Sequence, residues 1–120
     1  MIGANSEVIA SLSRDQRQLF EHFIDYMNPV SPRSAGASFD NKAKMPGERI
    51  ASVTAPTLIL HAKDDGLQLF HNAEFAAATI PNAELVSFDK GGHFIIGTEQ
   101  SAIRVAAGDH IRNNAGEATP

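Results

Sequence analysis

The 120-residue sequence has no cysteine, which excludes disulfide bonds and thiolate chemistry. It also lacks any cluster of lysine and arginine, and its formal charge is -4. Neither a nucleic acid nor an anionic membrane surface is therefore an expected partner. No apolar run approaches the roughly 20 residues needed to span a bilayer, so no membrane partner is expected in that form either. The first residues lack the basic segment and continuous apolar core of a secretory signal, and a cytoplasmic location is the resulting expectation. No cofactor is called for by any motif.

What is present suits a folded domain. Hydrophobic residues make up 42% and charged residues 20%, both ordinary values, and one domain is the ceiling at this length. The chain is organised around residues 55–93. Pro56 opens an apolar run, Thr57 to Ala62, that does not alternate and so suits a strand buried on both faces. Lys63-Asp64-Asp65-Gly66 is a polar turn. Phe75, Ala76, Ala77, Ala78 and Ile80 then form a short helical face, with Asn72 as the expected cap and Pro81 as the stop. Leu85 to Phe88 make a second strand. Strand, helix and strand in this order predict a βαβ crossover with parallel strands, whose carboxyl ends share one edge. At that edge the sequence places Asp65 and His93.

Open α/β sheets carry their chemistry at this edge, where loops leaving the strands form a crevice. An aspartate that accepts from one imidazole nitrogen fixes the tautomer and leaves the other nitrogen as a general base. The run from Pro56 to Asp65, followed by Ile80-Pro81-Asn82-Ala83-Glu84-Leu85 and Gly91-Gly92-His93, resembles the C-terminal part of an α/β-hydrolase. The order of acid then histidine agrees with the Ser, Asp/Glu, His order of that fold. The resemblance covers roughly residues 49–112. It implies that Asp65 is the triad acid, with Asp64 as the alternative one register away, and that His93 is the triad base. The family usually has glycine where Ala62 stands and often proline where Gly66 stands.

The sequence departs from the family at the nucleophile. Gly-x-Ser-x-Gly does not occur in the 120 residues, and Ser34-Ala-Gly-Ala-Ser38 has the wrong spacing with no strand before it. The expected architecture is α/β: two parallel strands with flanking helices, the C-terminal part of an α/β-hydrolase sheet, preceded by a helical cap segment. Residues 1–48 are read as cap and loop, 49–112 as the βαβα unit and 113–120 as a flexible tail.

Within the cap segment, Asn5 to Leu12 suits a short helix. Ser13-Arg-Asp-Gln16 fits a capping box, and Leu19, Phe20, Phe23, Ile24 and Met27 recur at helical spacing up to Asn28-Pro29. Residues 29–48, with three prolines and two glycines, read as a loop in which Arg33 and Asp40 have solvated or structural roles, with pairing to each other or orienting a substrate as the alternative. Glu48 to Val53 reads as a short helix or turn. Thr98 is the expected cap of a last helix, with Ala102, Ile103, Ala106, Ala107, His110 and Ile111 on its buried face.

Among the other histidines, His61 reads as a hydrogen-bonded core residue, and His22, His71 and His110 as surface or interfacial. A metal reading built on His61, Asp64, Asp65 and His93 is disfavoured, because no paired-ligand helix spacing supports it. Asp89 competes as a partner for His93 or as a cap of the Gly91-Gly92 turn.

Two strands alone leave an open sheet edge, which predicts a homo-oligomer or a complementing N-terminal chain as partner. The resemblance implies hydrolysis of a small ester or related carboxylic derivative, a small-molecule substrate, through a serine outside this chain. The alternative is a non-catalytic interaction module that pairs through its open strand edge.

Overall fold

The structure, a computed structural model, describes residues 6–116. Two strands, β1 (Thr57–Ala62) and β2 (Ala83–Phe88), pair in parallel from Thr57↔Ala83 to Ala62↔Phe88. The Lys63 amide donates to the Phe88 carbonyl at 2.8 Å and extends the ladder past the last paired residues. β2 begins at Ala83, two residues ahead of the expected start. Asn82 makes the entry turn with φ 59°, a left-handed conformation that asparagine tolerates well.

The crossover helix α4 spans Phe70–Thr79 and packs against both strands. Asn72 does not cap it. The extended residue at its N-terminus is Leu69 (ψ 140°), and the Asn72 amide already donates to the Leu69 carbonyl at 2.9 Å. The helix ends at Thr79 with Ile80 as its extended cap, ahead of Pro81, as a proline stop requires.

The expectation of strands buried on both faces is not met. β1 is half-buried except at Ala62, which is 1% exposed, and no large side chain among the described residues is fully enclosed. Accessible surface totals 8856 Å², against about 6,300 Å² for a compact chain of this mass. The radius of gyration is 16.5 Å, against about 13.6 Å for a compact chain of this length. Two strands with α4 and the C-terminal helix beside them leave much of the sheet uncovered.

In the front segment, α1 covers Ser6–Ser11 and α2 covers Arg14–Met27; Asn5, in the expected first helix, lies outside the described residues. The capping box forms as the sequence predicts. Ser13 Oγ accepts from the Gln16 amide, and the Gln16 side chain accepts from the Ser13 amide. The apolar stripe of α2 finds a partner at one end only. Phe20 and Phe23 place their rings 5.0 Å from Phe94, while Phe23, Ile24 and Met27 remain exposed.

The loop expected over residues 29–48 is instead partly helical, with a 3-10 turn at Ser31–Arg33 and a helix α3 at Ser34–Asp40. Pro32 suits the first turn of a helix, and Ser34 Oγ closes it on the Ser31 carbonyl at 2.8 Å. Arg33 does not pair with Asp40. Its guanidinium donates to the carbonyls of Tyr26 and Met27 at the end of α2, where a helix leaves acceptors free. A second 3-10 turn, Gly47–Ser52, leads toward β1.

After β2 come a 3-10 turn at Gly92–Phe94, a one-turn helix α5 (Ile95–Thr98) and the last helix α6 (Gln100–Asn114). Glu99, not Thr98, precedes α6, because Thr98 belongs to α5 and turns its hydroxyl to the Ile95 carbonyl. Ile103, Ala106, Ala107 and His110 are half-buried on α6, but Ala102 and Ile111 are exposed. The helix runs to Asn114, so residues 113 and 114 are helical; residues 117–120 of the expected tail lie outside the described residues. No described helix is long and apolar enough to cross a membrane.

Candidate functional site

The turn after β1 places two neighbouring carboxylates under different constraints. Asp65 is 6% exposed. Its Oδ1 accepts from the amides of Leu67 (2.8 Å) and Gln68 (3.0 Å), and its Oδ2 faces His93 Nδ1 at 2.9 Å. Burial pushes the Asp65 pKa up, but the Gln68, His93 and Leu67 hydrogen bonds outweigh it and hold the carboxyl below the ordinary aspartate value. Asp64 turns the other way and accepts from the Gly92 amide at 2.8 Å. The two acids, of which the resemblance put Asp65 first and Asp64 as the alternative, take different partners: Asp65 meets the ring of His93 and Asp64 meets the backbone one residue before it.

The turn after β2 needs its glycines. Gly91 has φ 136° and Gly92 φ 60°, conformations that ordinary side chains disfavour. A β-carbon on Gly91 would also stand 2.7 Å from Thr98 Oγ1. The tight passage lets the chain turn back under α5 and carries His93 over the end of β1. A carboxylate only accepts, so the His93 Nδ1–H is the donor, and in the neutral ring the lone pair then sits on Nε2. The His93 side chain is 44% exposed, and no hydrogen bond engages Nε2 among the described residues.

His61 approaches the same carboxylate. Its Nδ1 bonds the Ala62 carbonyl at 2.8 Å, and its Nε2 stands 3.7 Å from Asp65 Oδ2, beyond hydrogen-bond reach. Phe70 meets the His61 ring edge-on at 5.8 Å. His61 and Asp65 are four residues apart across a strand end, and nothing in that spacing signals the approach. A cavity of about 180 Å³ opens among Leu60, His61, Asp65, Gln68, His93 and Ile95, smaller than the roughly 300 Å³ at which ligand pockets begin.

Asp89 plays neither part expected of it. Its carboxylate takes the Lys63 ammonium at 2.7 Å, which lowers its pKa, and the glycine turn is held by Asp64 instead. His22 and His71 are exposed, and His110 Nε2 lies 3.3 Å from the Pro56 carbonyl. No group of three or more histidine or acidic side chains among the described residues is arranged to hold a metal ion.

The geometry delivers a histidine with one nitrogen held by a buried carboxylate and the other free toward a cleft. Such a pair can accept a proton from a hydroxyl brought to Nε2 and return it to a leaving group.

Three curated relatives share the name "Putative carbamate hydrolase RutD". That of Stutzerimonas stutzeri is 31% identical over 116 residues, 97% of this chain and 41% of the relative. That of Azorhizobium caulinodans is 31% identical over 88 residues, 73% of this chain and 31% of the relative. That of Pseudomonas savastanoi is 31% identical over 84 residues, 70% of this chain and 30% of the relative. The chain thus spans less than half the length of the curated relatives it matches. No family model matches it, and neither does any solved structure.

Proposed function

We propose that these residues are the C-terminal part of an α/β-hydrolase, with Asp65 and His93 as the acid and base of a Ser-His-Asp triad whose serine lies outside this chain. The observation that carries the reading is the 2.9 Å contact between Asp65 Oδ2 and His93 Nδ1, on an aspartate whose other oxygen is held by two backbone amides. The name of the similar hydrolases supports a hydrolytic reaction on a carboxylic derivative. The substrate is a small ester or a related derivative such as a carbamate.

His93 Nε2 takes the proton as the serine oxygen adds to the substrate carbonyl carbon, and returns it to the departing alcohol or amine. It then takes a proton from the water that attacks the acyl-serine and returns it to the serine oxygen. Residues 6–40 act as part of a helical cap, and the unpaired edge of β1 receives the preceding part of the sheet. The chain alone is inactive in this reading.

A second reading rests on that uncovered sheet: the chain is an interaction module that pairs through the β1 edge, and the Asp65–His93 contact is structural. Fusing the chain behind the part of the Stutzerimonas relative that would precede it in the hydrolase reading distinguishes the two. The hydrolase reading expects the fusion to cleave an activated phenyl ester or carbamate and to lose that activity on His93→Ala. A folded fusion whose serine reacts with a fluorophosphonate, but whose rate ignores His93→Ala, would overturn it.

A further inference from the structure

We propose that Asp64 is the positioning residue of this site, holding the Gly91-Gly92 turn so that the His93 ring stays on Asp65. The catalytic meaning of this rests on the hydrolase reading, but the positioning itself does not. Two successive glycines with positive φ give a turn that no side chain of its own can anchor, and glycine is the residue with most conformational freedom to lose. An outside group must fix it.

The Asp64 carboxylate does so, accepting from the Gly92 amide at 2.8 Å across 28 residues of sequence. This is a charge-assisted bond of the stronger kind. Asp64 and Asp65 are adjacent in one turn, so the support of the backbone before His93 and the support of its ring come from the same short stretch of chain. Nearby alternatives are occupied elsewhere: Asp89 is engaged by Lys63, and both Asp65 oxygens have donors.

A second observation points the same way. Asp64 Oδ2 is closed off from solvent and takes no hydrogen bond among the described residues. Desolvating a carboxylate oxygen without a partner is costly, which sets a premium on the bond that its twin oxygen makes to the turn. Asp64 does not touch the imidazole; it acts through the Gly92 amide. A shift of the turn by about 1 Å would take His93 out of hydrogen-bond range, and displacements of that size cost about 10²-fold in rate at catalytic groups.

The test uses the full 120-residue chain, labelled with ¹⁵N, as wild type, Asp64→Ala and Asp64→Asn. The reading is the His93 ring: the nitrogen that carries the proton and the persistence of the Nδ1 proton against exchange. Strand amides report whether the fold is kept. Asp64→Ala is expected to lose the persistent Nδ1 proton and the protection of the Gly92 amide while the β1 and β2 amides stay protected. Asp64→Asn, whose amide oxygen still accepts from Gly92, is expected to keep both.

A persistent Nδ1 proton in folded Asp64→Ala would overturn the proposal, and so would its loss in folded Asp64→Asn. If Asp64→Ala fails to fold, the Asn variant decides. In the fusion, Asp64→Ala is expected to lower kcat about 10²-fold with KM little changed, and Asp64→Asn to restore most of it. A wild-type fusion without activity would count against the hydrolase reading and leave the ring measurement standing.

Discussion

The segment from Ser6 to Asp40 and the unit from Thr57 to Thr98 contain similar kinds of apolar residue and reach different ends. α2 carries the regular stripe of an amphipathic helix, yet none of its residues is buried, and Tyr26 (81%) and Phe39 (75%) in this segment are largely exposed. The βαβ unit has a shorter helix and a less regular pattern, and it encloses Ala62, Ala73, Phe94 and Asp65. The difference teaches that periodicity decides which face of an element is apolar, whereas burial requires something to cover that face. The Asp65–His93 geometry needs no distant cover, because every bond that fixes it comes from turns at the ends of two adjacent strands.

The largest expected effect tests the functional side of this contrast. In the fusion, His93→Ala is expected to lower kcat by about 10⁶, the scale on which a triad base acts, measured with an activated ester under saturating conditions. A loss of a few-fold would reduce His93 to a packing residue and erase the distinction between the two segments.

Next is a ring that the two segments share. Phe94 is 4% exposed and touches both Phe20 and Phe23, so Phe94→Ala is expected to cost about 3 kcal/mol in urea unfolding of the chain. Phe23, at 41% exposure, should cost less than about 1 kcal/mol when truncated. Equal costs would mean that α2 is covered as well as the strands are.

Acid should act on the βαβ unit through Asp65. Its folded-state pKa lies below the ordinary value, so its contribution is present above about pH 4 and is lost as the pH falls through the folded value. Asp65→Asn should flatten the decline in unfolding free energy below that pH, and an unchanged acid limb would place the acid sensitivity elsewhere.

The smallest effect belongs to the front segment. Ser13→Ala removes the capping box of α2 and is expected to cost about 1 kcal/mol. Hydrogen exchange should show the loss in α2 amides and not in β1 or β2; a uniform loss would mean that the two segments unfold as one.

Much of the sheet unit was legible in the sequence. Pro56, Gly66 and Pro81 punctuate short apolar runs whose types follow from length and composition, and the edge bearing Asp65 and His93 follows from the parallel order of the strands. Element starts were less legible: α4 begins before Asn72 because the extended Leu69 opens it without a side-chain cap, and Glu99 displaced Thr98 because a one-turn helix intervenes. The short helix at Ser34–Asp40 was hidden by proline and glycine content, although Pro32 favours a helix start. The resemblance put Asp65 ahead of Asp64, but the part that Asp64 plays could not be read. Both follow β1, and only the passage of the glycine turn over the strand end assigns one to a backbone amide and the other to a ring.

The most direct test of the paired Asp65 and His93 is kcat of the fusion with and without Asp65→Asn. Asparagine keeps the size of the side chain but no longer offers His93 a carboxylate. The account predicts a fall of about 10⁴ in a folded protein. A folded Asp65→Asn fusion that retains the wild-type kcat would contradict it.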